Sequence, residues 1–320
     1  MSKFSLELYK KLYLVRRAEK AIIDNYNDDE MKTPMHMSMG EEAIVVGVCE
    51  ALEKRDQVFG TYRSHALYLT KTGETNKFFA EMYGKATGGA KGKAGSMHLS
   101  FPDKGFMGSS AIVASNIPVA VGASFANKFK KNNKITAVFF GDGAVDEGNF
   151  WESLNVACLM KLPILFVCED NGLAMFSRLF ERQGYKSLDA IVGKFNCDVF
   201  GIKTTDVETI FELTKKAVKL IKKTHSPSFL HFKYYRYLEH VGINEDFDAG
   251  YRSKEEFKKW YKYDPIIMQR RRVLKSGVKE RTILSIEKEI DKNIEKSIEA
   301  AQKAPFANVN EVYTNVFYGK

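Results

Sequence analysis

The sequence predicts a doubly wound α/β fold, a parallel sheet flanked by helices. Two observations carry that reading. Short apolar runs, ITAVFF and ILFVCED, alternate with stretches of helical amphipathic spacing, the pattern of a sheet built by right-handed crossovers. Both runs also end in polar exits, GDG and EDN, and in this architecture ligands gather beyond the C-terminal ends of strands.

Taken in chain order, residues 4–26 read as a charged amphipathic helix and residues 40–53, GEEAIVVGVCEALE, as a second, more buried one. The segment from Gly84 to His98, GKATGGAKGKAGSMH, is too rich in glycine for a regular element. It reads as a tightly folded loop that backbone or ligand approaches closely. IPVAVGASFANKFKK predicts a helix, and ITAVFF the buried strand that follows it. Beyond GDG, Phe150, Leu154, Ala157 and Cys158 fall on one helical stripe. Pro163 opens the strand ILFVCED. A strand DVFGIKTT, a helix over about Asp206–Lys223 and a strand SFLHFKYYR complete the sheet. The chain divides into an N-terminal helical segment (1–60), an α/β domain (61–263) and a charged helical tail (264–320).

Composition narrows the function. The chain has 320 residues, 44% of them hydrophobic, and a net charge of +9. The N-terminus has no signal-peptide core and no apolar run approaches a membrane span, so the expected location is cytoplasmic and no membrane partner is expected. The four cysteines, Cys49, Cys158, Cys168 and Cys197, form no C-x-x-C pair and read as buried free thiols. The basic runs KFKKNNK, KKAVKLIKK and QRRRVLKSGVKER lie at solvent-face helical spacing without interleaved aromatics. That placement favours a solvated face over nucleic-acid binding, and an anionic ligand or acidic partner would also suit the charge.

The stretch GDGAVDEG, Gly141–Gly148, carries the chemistry. It fails as a dinucleotide fingerprint because its third glycine comes two residues late and an aspartate takes the second position. It fails as a phosphate loop because Asn149 and Phe150 stand where Lys and Ser/Thr are needed. A magnesium–diphosphate site fits better, since Mg2+ takes one or two protein oxygens and completes its octahedron with phosphate and water. Asp142 supplies a carboxylate from one strand end and Asn171 an amide oxygen from the next. The N–H groups of Gly143 and Ala144 face the phosphate side, as helix-entry amides do. GDG with an asparagine about thirty residues on, between two buried strands, is the signature of thiamine-diphosphate enzymes.

With these motifs in view, the chain resembles the alpha subunits of the thiamine-dependent decarboxylating component of 2-oxo acid dehydrogenases, of the pyruvate, acetoin and branched-chain type. The matching stretches are HMSMGEEAIVVGV, TYRSHALYL, GKATGGAKGKAGSMHL, FFGDGAVDEGNFWESLNVACLMKLPILFVCEDN and YYRYLEH with the later YRSKEE. The resemblance implies thiamine diphosphate and Mg2+ as cofactors, with Asp142, Asn171 and the Leu173 carbonyl as metal ligands. It implies that Gly141, Gly143 and Ala144 line the diphosphate, that Tyr62 and Arg63 touch the cofactor, and that Arg236 is a second diphosphate arginine. Ile112 and Val113 match the segment running along the cofactor. His36 and His240 match two active-site histidines that handle the substrate and acyl-transfer steps. His65 and His98 fall in matching motifs, bracing loops or touching the site.

The resemblance also implies a partner. The carboxylate that activates the aminopyrimidine comes in this family from a beta subunit, which makes this chain half of a site in a heterotetramer. The activity implied is oxidative decarboxylation of a 2-oxo acid with acyl transfer to a lipoyl acyltransferase. A carboligase or non-oxidative decarboxylase without a lipoyl partner, and a non-catalytic nucleotide-binding module, are the alternatives. The chain departs from the family at Asp170, where a second asparagine is usual, in the bulky GLAMFSRLFERQ, and at Val241, where mitochondrial relatives carry a phosphorylated serine.

Overall fold

The computed structural model describes residues 2–314; Met1 and residues 315–320, the end of the C-terminal tail, lie outside them. Six parallel strands form the central sheet: β1 (Gln57–Thr61), β2 (Phe106–Ser110), β3 (Thr136–Gly141), β4 (Ile164–Asp170), β5 (Asp198–Lys203) and β6 (Ser228–Lys233). Their spatial order is β2-β1-β3-β4-β6-β5, so the order reverses beside β1 and creates the crevice typical of doubly wound sheets.

Side chains alternate across this sheet, and each face has its own core. In β3, Ala137 and Phe139 face one side while Val138 and Phe140 face the other. The first side is covered by α1 (Ser2–Tyr26), α2 (Glu42–Ala51), α3 (His65–Thr72) and α4 (Thr75–Met82), together with one later helix. The opposite side is covered by α5 (Asn116–Phe129) and α6 (Gly148–Leu159), whose Phe150, Leu154, Ala157 and Cys158 form the buried stripe that the spacing predicts.

Past β4 the chain makes a small hairpin (Leu173–Ala174 with Ser177–Arg178), then α7 (Leu179–Arg182) and α8 (Leu188–Val192). The amphipathic α9 (Val207–Thr224) packs on α2 and completes the first face. It starts at Asp206, whose carboxylate accepts the N–H of Glu208 at 3.0 Å, and ends at His225 in the left-handed conformation (φ 56°). The charged tail is helical: α10 (Lys254–Tyr261), α11 (Pro265–Lys275) and α12 (Glu280–Lys303), the last two packed along α1. Arg16 of α1 is buried against Glu42 (2.5 Å) and against Asp264 (2.9 Å), the N-cap of α11.

The strands ITAVFF, ILFVCED, DVFGIKTT and SFLHFKYYR all form, the last two shortened to 198–203 and 228–233. Two strands, β1 and β2, were not expected from the sequence. QVFGT and FMGSS are short, mixed in polarity and hold glycine, so no apolar run marks them. The glycine-rich loop is tight, as expected, but what it closes on is its own chain. The buried Glu81 carboxylate accepts the N–H groups of Ala90 (2.9 Å), Gly92 (3.1 Å), Ala94 (2.7 Å) and Gly95 (3.2 Å). A Cβ on Gly88 would lie 2.4 Å from that carboxylate, which is why a side chain is excluded there. Among the described residues the cysteines are free, with Cys49, Cys158 and Cys168 buried, and no helix is long and apolar enough to cross a membrane.

Candidate active site

One cavity of about 320 Å³ opens at the C-terminal ends of β1, β3, β4 and β6. Each strand contributes through the residues just past its end: Tyr62 and Arg63 after β1, Asp142 to Ala144 after β3, Asn171 and Leu173 after β4, Tyr234 after β6. The position is dictated by topology. Parallel strands aim all their exits at one edge, and the order reversal beside β1 parts the loops there.

The floor is where β3 and β4 meet. Strand pairing brings Gly141 opposite Glu169, so the two following residues are adjacent. The Asn171 N–H donates to Asp142 Oδ1 at 3.2 Å. The Asn171 side chain is held at both ends, its oxygen accepting the Leu173 N–H at 3.0 Å and its nitrogen donating to the Tyr234 hydroxyl at 3.2 Å. That hydroxyl donates in turn to Glu41 at 3.0 Å. Gly143 leaves room: a Cβ there would sit 3.0 Å from Ala174. Asp142 is 2% exposed, and burial, then the Asp170 charge, push its carboxyl up to about 7 while Arg182 pulls it back. The Arg182 guanidinium supplies the cation that such a buried carboxylate needs.

The wall toward β1 is basic and aromatic. Arg63 is buried and fixed by two backbone carbonyls, Met37 at 2.6 Å and His240 at 3.1 Å. His36, Tyr62 and His240 form a triangle of rings with centroids 4.5 to 5.6 Å apart. Burial, then the charge of Arg63, holds both imidazoles neutral, at about 3 for His36 and about 4 for His240. Arg236 donates to His240 Nδ1 at 3.2 Å, which leaves the ring proton on Nε2. Behind them Glu41 and Glu169 are both buried, each with one oxygen lacking a partner. Burial pushes Glu41 up to about 8 and Glu169 well above the carboxylate range, so the pair retains a proton at neutral pH.

Of the residues the sequence singled out, Tyr62, Arg63, Val113, Gly141, Asp142, Gly143, Ala144, Asn171, Leu173 and His240 all line this cavity. His36 touches it through Tyr62 and His240. Ile112, the residue before Val113, is not part of the lining and is 68% exposed. Arg236 is buried behind His240, off the cavity wall, and also donates to the Tyr251 hydroxyl at 2.8 Å. His65 is fully buried between Glu19 (2.7 Å) and Ser96 (2.6 Å) and braces the glycine-rich loop, while His98 is exposed. Among the described residues no three His, Cys, Asp or Glu side chains gather as a metal cluster. Asp142 is the buried carboxylate of the floor, ion-paired with Arg182, and Asn171 follows just past the next strand with its amide oxygen, a donor set that suits a hard cation sharing phosphate oxygens.

Sequence reasoning missed Glu41, Tyr234 and Arg182, all at or beside the floor. Glu41 carried a faint signal, a second carboxylate at the start of a helix otherwise apolar enough to be buried. Nothing local marks the other two, because only strand pairing and the loop after β4 bring them in.

A parallel doubly wound sheet with a cavity holding charged side chains at its switch point places the protein among α/β scaffolds that bind a ligand at strand ends. Comparison with known proteins gives the family. A family model described as dehydrogenase E1 component matches residues 10–310. The pyruvate dehydrogenase E1 component subunit alpha of Rickettsia bellii is 31% identical over 317 residues, covering 98% of this chain and 95% of its own. The same subunit of Zymomonas mobilis is 31% identical, covering 98% and 89%, and that of Rhizobium meliloti 31%, covering 97% and 89%. The chain belongs to the dehydrogenase E1 component family, and with it to the alpha subunits of thiamine-diphosphate-dependent 2-oxo acid dehydrogenases.

Proposed function

We propose that this alpha subunit forms half of a site that oxidatively decarboxylates pyruvate, or a close 2-oxo acid, and passes the acyl group to the lipoyl group of an acyltransferase, in the cytoplasm. When bound, thiamine diphosphate supplies the nucleophilic carbon and the electron sink for decarboxylation. The chain's own residues bind and orient it. Asp142, Asn171 and the Leu173 carbonyl would hold Mg2+, which would supply the positive charge that the diphosphate needs. The N–H groups of Gly143 and Ala144, beside Gly141, would bind phosphate oxygens. Arg63 offers a charge already fixed in place by backbone carbonyls. Arg236 adds positive charge from behind His240, and Tyr62, Ile112 and Val113 flank the cofactor's length.

His240 and His36, held neutral, supply a hydrogen-bond donor and a proton acceptor beside the substrate. His240 offers its Nε2 proton because Arg236 occupies Nδ1. The remaining carboxylate comes from a beta subunit, as the family implies, and the two chains assemble as a heterotetramer.

The observation that carries this reading is the Asp142–Asn171 floor, where two strand exits 29 residues apart in sequence meet at 3.2 Å inside the cavity that Arg63 borders. Two measurements test it. Thiamine diphosphate titrated into the chain with its beta partner binds strongly only when Mg2+ is present; equal binding without a divalent cation refutes the metal bridge. Pyruvate-dependent reduction of an artificial electron acceptor appears on mixing the two subunits, and robust turnover by the alpha subunit alone refutes the half-site.

A further inference from the structure

Both oxygens of the Asp142 carboxylate are engaged by protein. Oδ1 accepts the Asn171 N–H at 3.2 Å. Oδ2, the oxygen that no backbone group holds, is taken by the Arg182 guanidinium through Nη2. The same guanidinium reaches Asp146 through Nη1 and the Asp142 carbonyl at 3.3 Å, and Gln183 steadies Asp146 from its other oxygen at 3.0 Å. Arg182 ends the four-residue helix α7, which follows the hairpin bordering the cavity.

We propose that Arg182 is a built-in competitor for the divalent cation. Arg182 and the metal contend for the same carboxylate oxygen, so this arginine sets the metal affinity and ties metal entry to a shift of the segment 172–187. The inference rests on the reading that Asp142 is a metal ligand, and it adds a residue that no motif of the sequence marks.

Three features support it. A guanidinium does not deprotonate in a protein, so it cannot yield to a cation by losing charge; it must move. Its seat is incomplete, because Nε is buried without a partner, so leaving forfeits less than leaving a fully satisfied site. It also has somewhere to go. Asp142 is 2% exposed at its side chain, Asp146 is 28%, and both are already held by the same fork. Rotation about the Asp146 contact frees Oδ2 while keeping one ion pair. Until the metal arrives, Arg182 supplies the countercharge that a buried carboxylate requires.

The test uses the full-length chain with its beta partner and thiamine diphosphate, with Mn2+ as the probe. Free Mn2+ is counted by electron paramagnetic resonance, and hydrogen exchange is followed in peptides spanning residues 172–187. Arg182→Gln binds Mn2+ about tenfold more tightly than wild type, and Arg182→Lys, which keeps the charge but loses the fork, about threefold. Mn2+ speeds exchange around Arg182 in the wild type and has little effect in Arg182→Gln. Asp142→Asn loses Mn2+ binding. If Asp142→Asn binds Mn2+ as the wild type does, the metal-ligand reading itself fails. If Asp142→Asn loses binding while Arg182→Gln or Arg182→Lys binds no more tightly than wild type, the metal site stands and the competition is refuted. Should the Gln variant not fold, the Lys variant separates the same two outcomes.

Discussion

At the scale of single residues, the site works by controlling charge in a buried place. His36 and His240 are kept neutral by burial and by Arg63, so neither titrates near its ordinary value. That has a consequence for folding. An unfolded chain binds protons at these histidines below about pH 6.5, whereas the folded chain declines them until about pH 3 to 4. Their linkage therefore favours folding above pH 6.5 and erodes it as pH falls through that window. The buried carboxyls Glu41 and Glu169 act the other way, holding protons in the folded chain above the ordinary carboxylate range. The two contributions separate by comparison with a variant. In urea denaturation of the cofactor-free protein, His240→Gln loses less stability between pH 6.5 and 4.5 than the wild type. An identical loss would mean that His240 titrates normally.

The sequence named the cavity's residues well where a motif spans a strand exit. GDG, the asparagine after ILFVCED, and TYRSH each give the local backbone that presents the side chain, so one stretch of sequence is enough. Tyr234 and Glu41 were illegible for the opposite reason: each becomes part of the floor through a contact with a residue dozens of positions away.

Among the elements, the glycine-rich loop shows what a single side chain organises. Four N–H groups that a turn-rich loop would leave without partners converge on Glu81. Replacing Glu81 by alanine removes charged acceptors and strands those donors, at a cost of about 3 kcal/mol or more, measured as the change in free energy of denaturation. Glu81→Gln, which keeps an acceptor oxygen, costs less. The apolar strands were plain from their runs because a parallel strand buried on both faces shows no alternation. The edge strand β2 and its neighbour β1 escaped notice because each is short, holds a glycine and mixes polar with apolar residues.

For the whole molecule, the helical surround is tied to the cavity-bearing edge of the sheet through one buried arginine. Arg16 joins α1 to Glu42 at the start of α2 and to Asp264 at the start of α11, and Tyr237 donates to the same Asp264 oxygen at 2.9 Å. Gly40 and Glu41, which lead into α2, stand against Tyr235 and Tyr234. Arg16→Ala leaves two buried carboxylates without a countercharge and is expected to cost about 3–5 kcal/mol, read from the denaturation midpoint. It also weakens thiamine diphosphate binding with no contact to the cavity, because the segment carrying Glu41 loses its anchor. An unchanged midpoint would show that water replaces the lost pairs.

The packing of α1 against α11 and α12 bears on how the chain folds. Arg17 of α1 bonds to Asp291 of α12 at 2.7 Å, and Tyr13 to the same carboxylate at 3.2 Å. α1 therefore packs against helices distant in sequence, and β1 finds its central neighbour only in β3. A chain of this design keeps apolar surface uncovered until those distant partners meet, which lengthens the interval in which folding competes with aggregation.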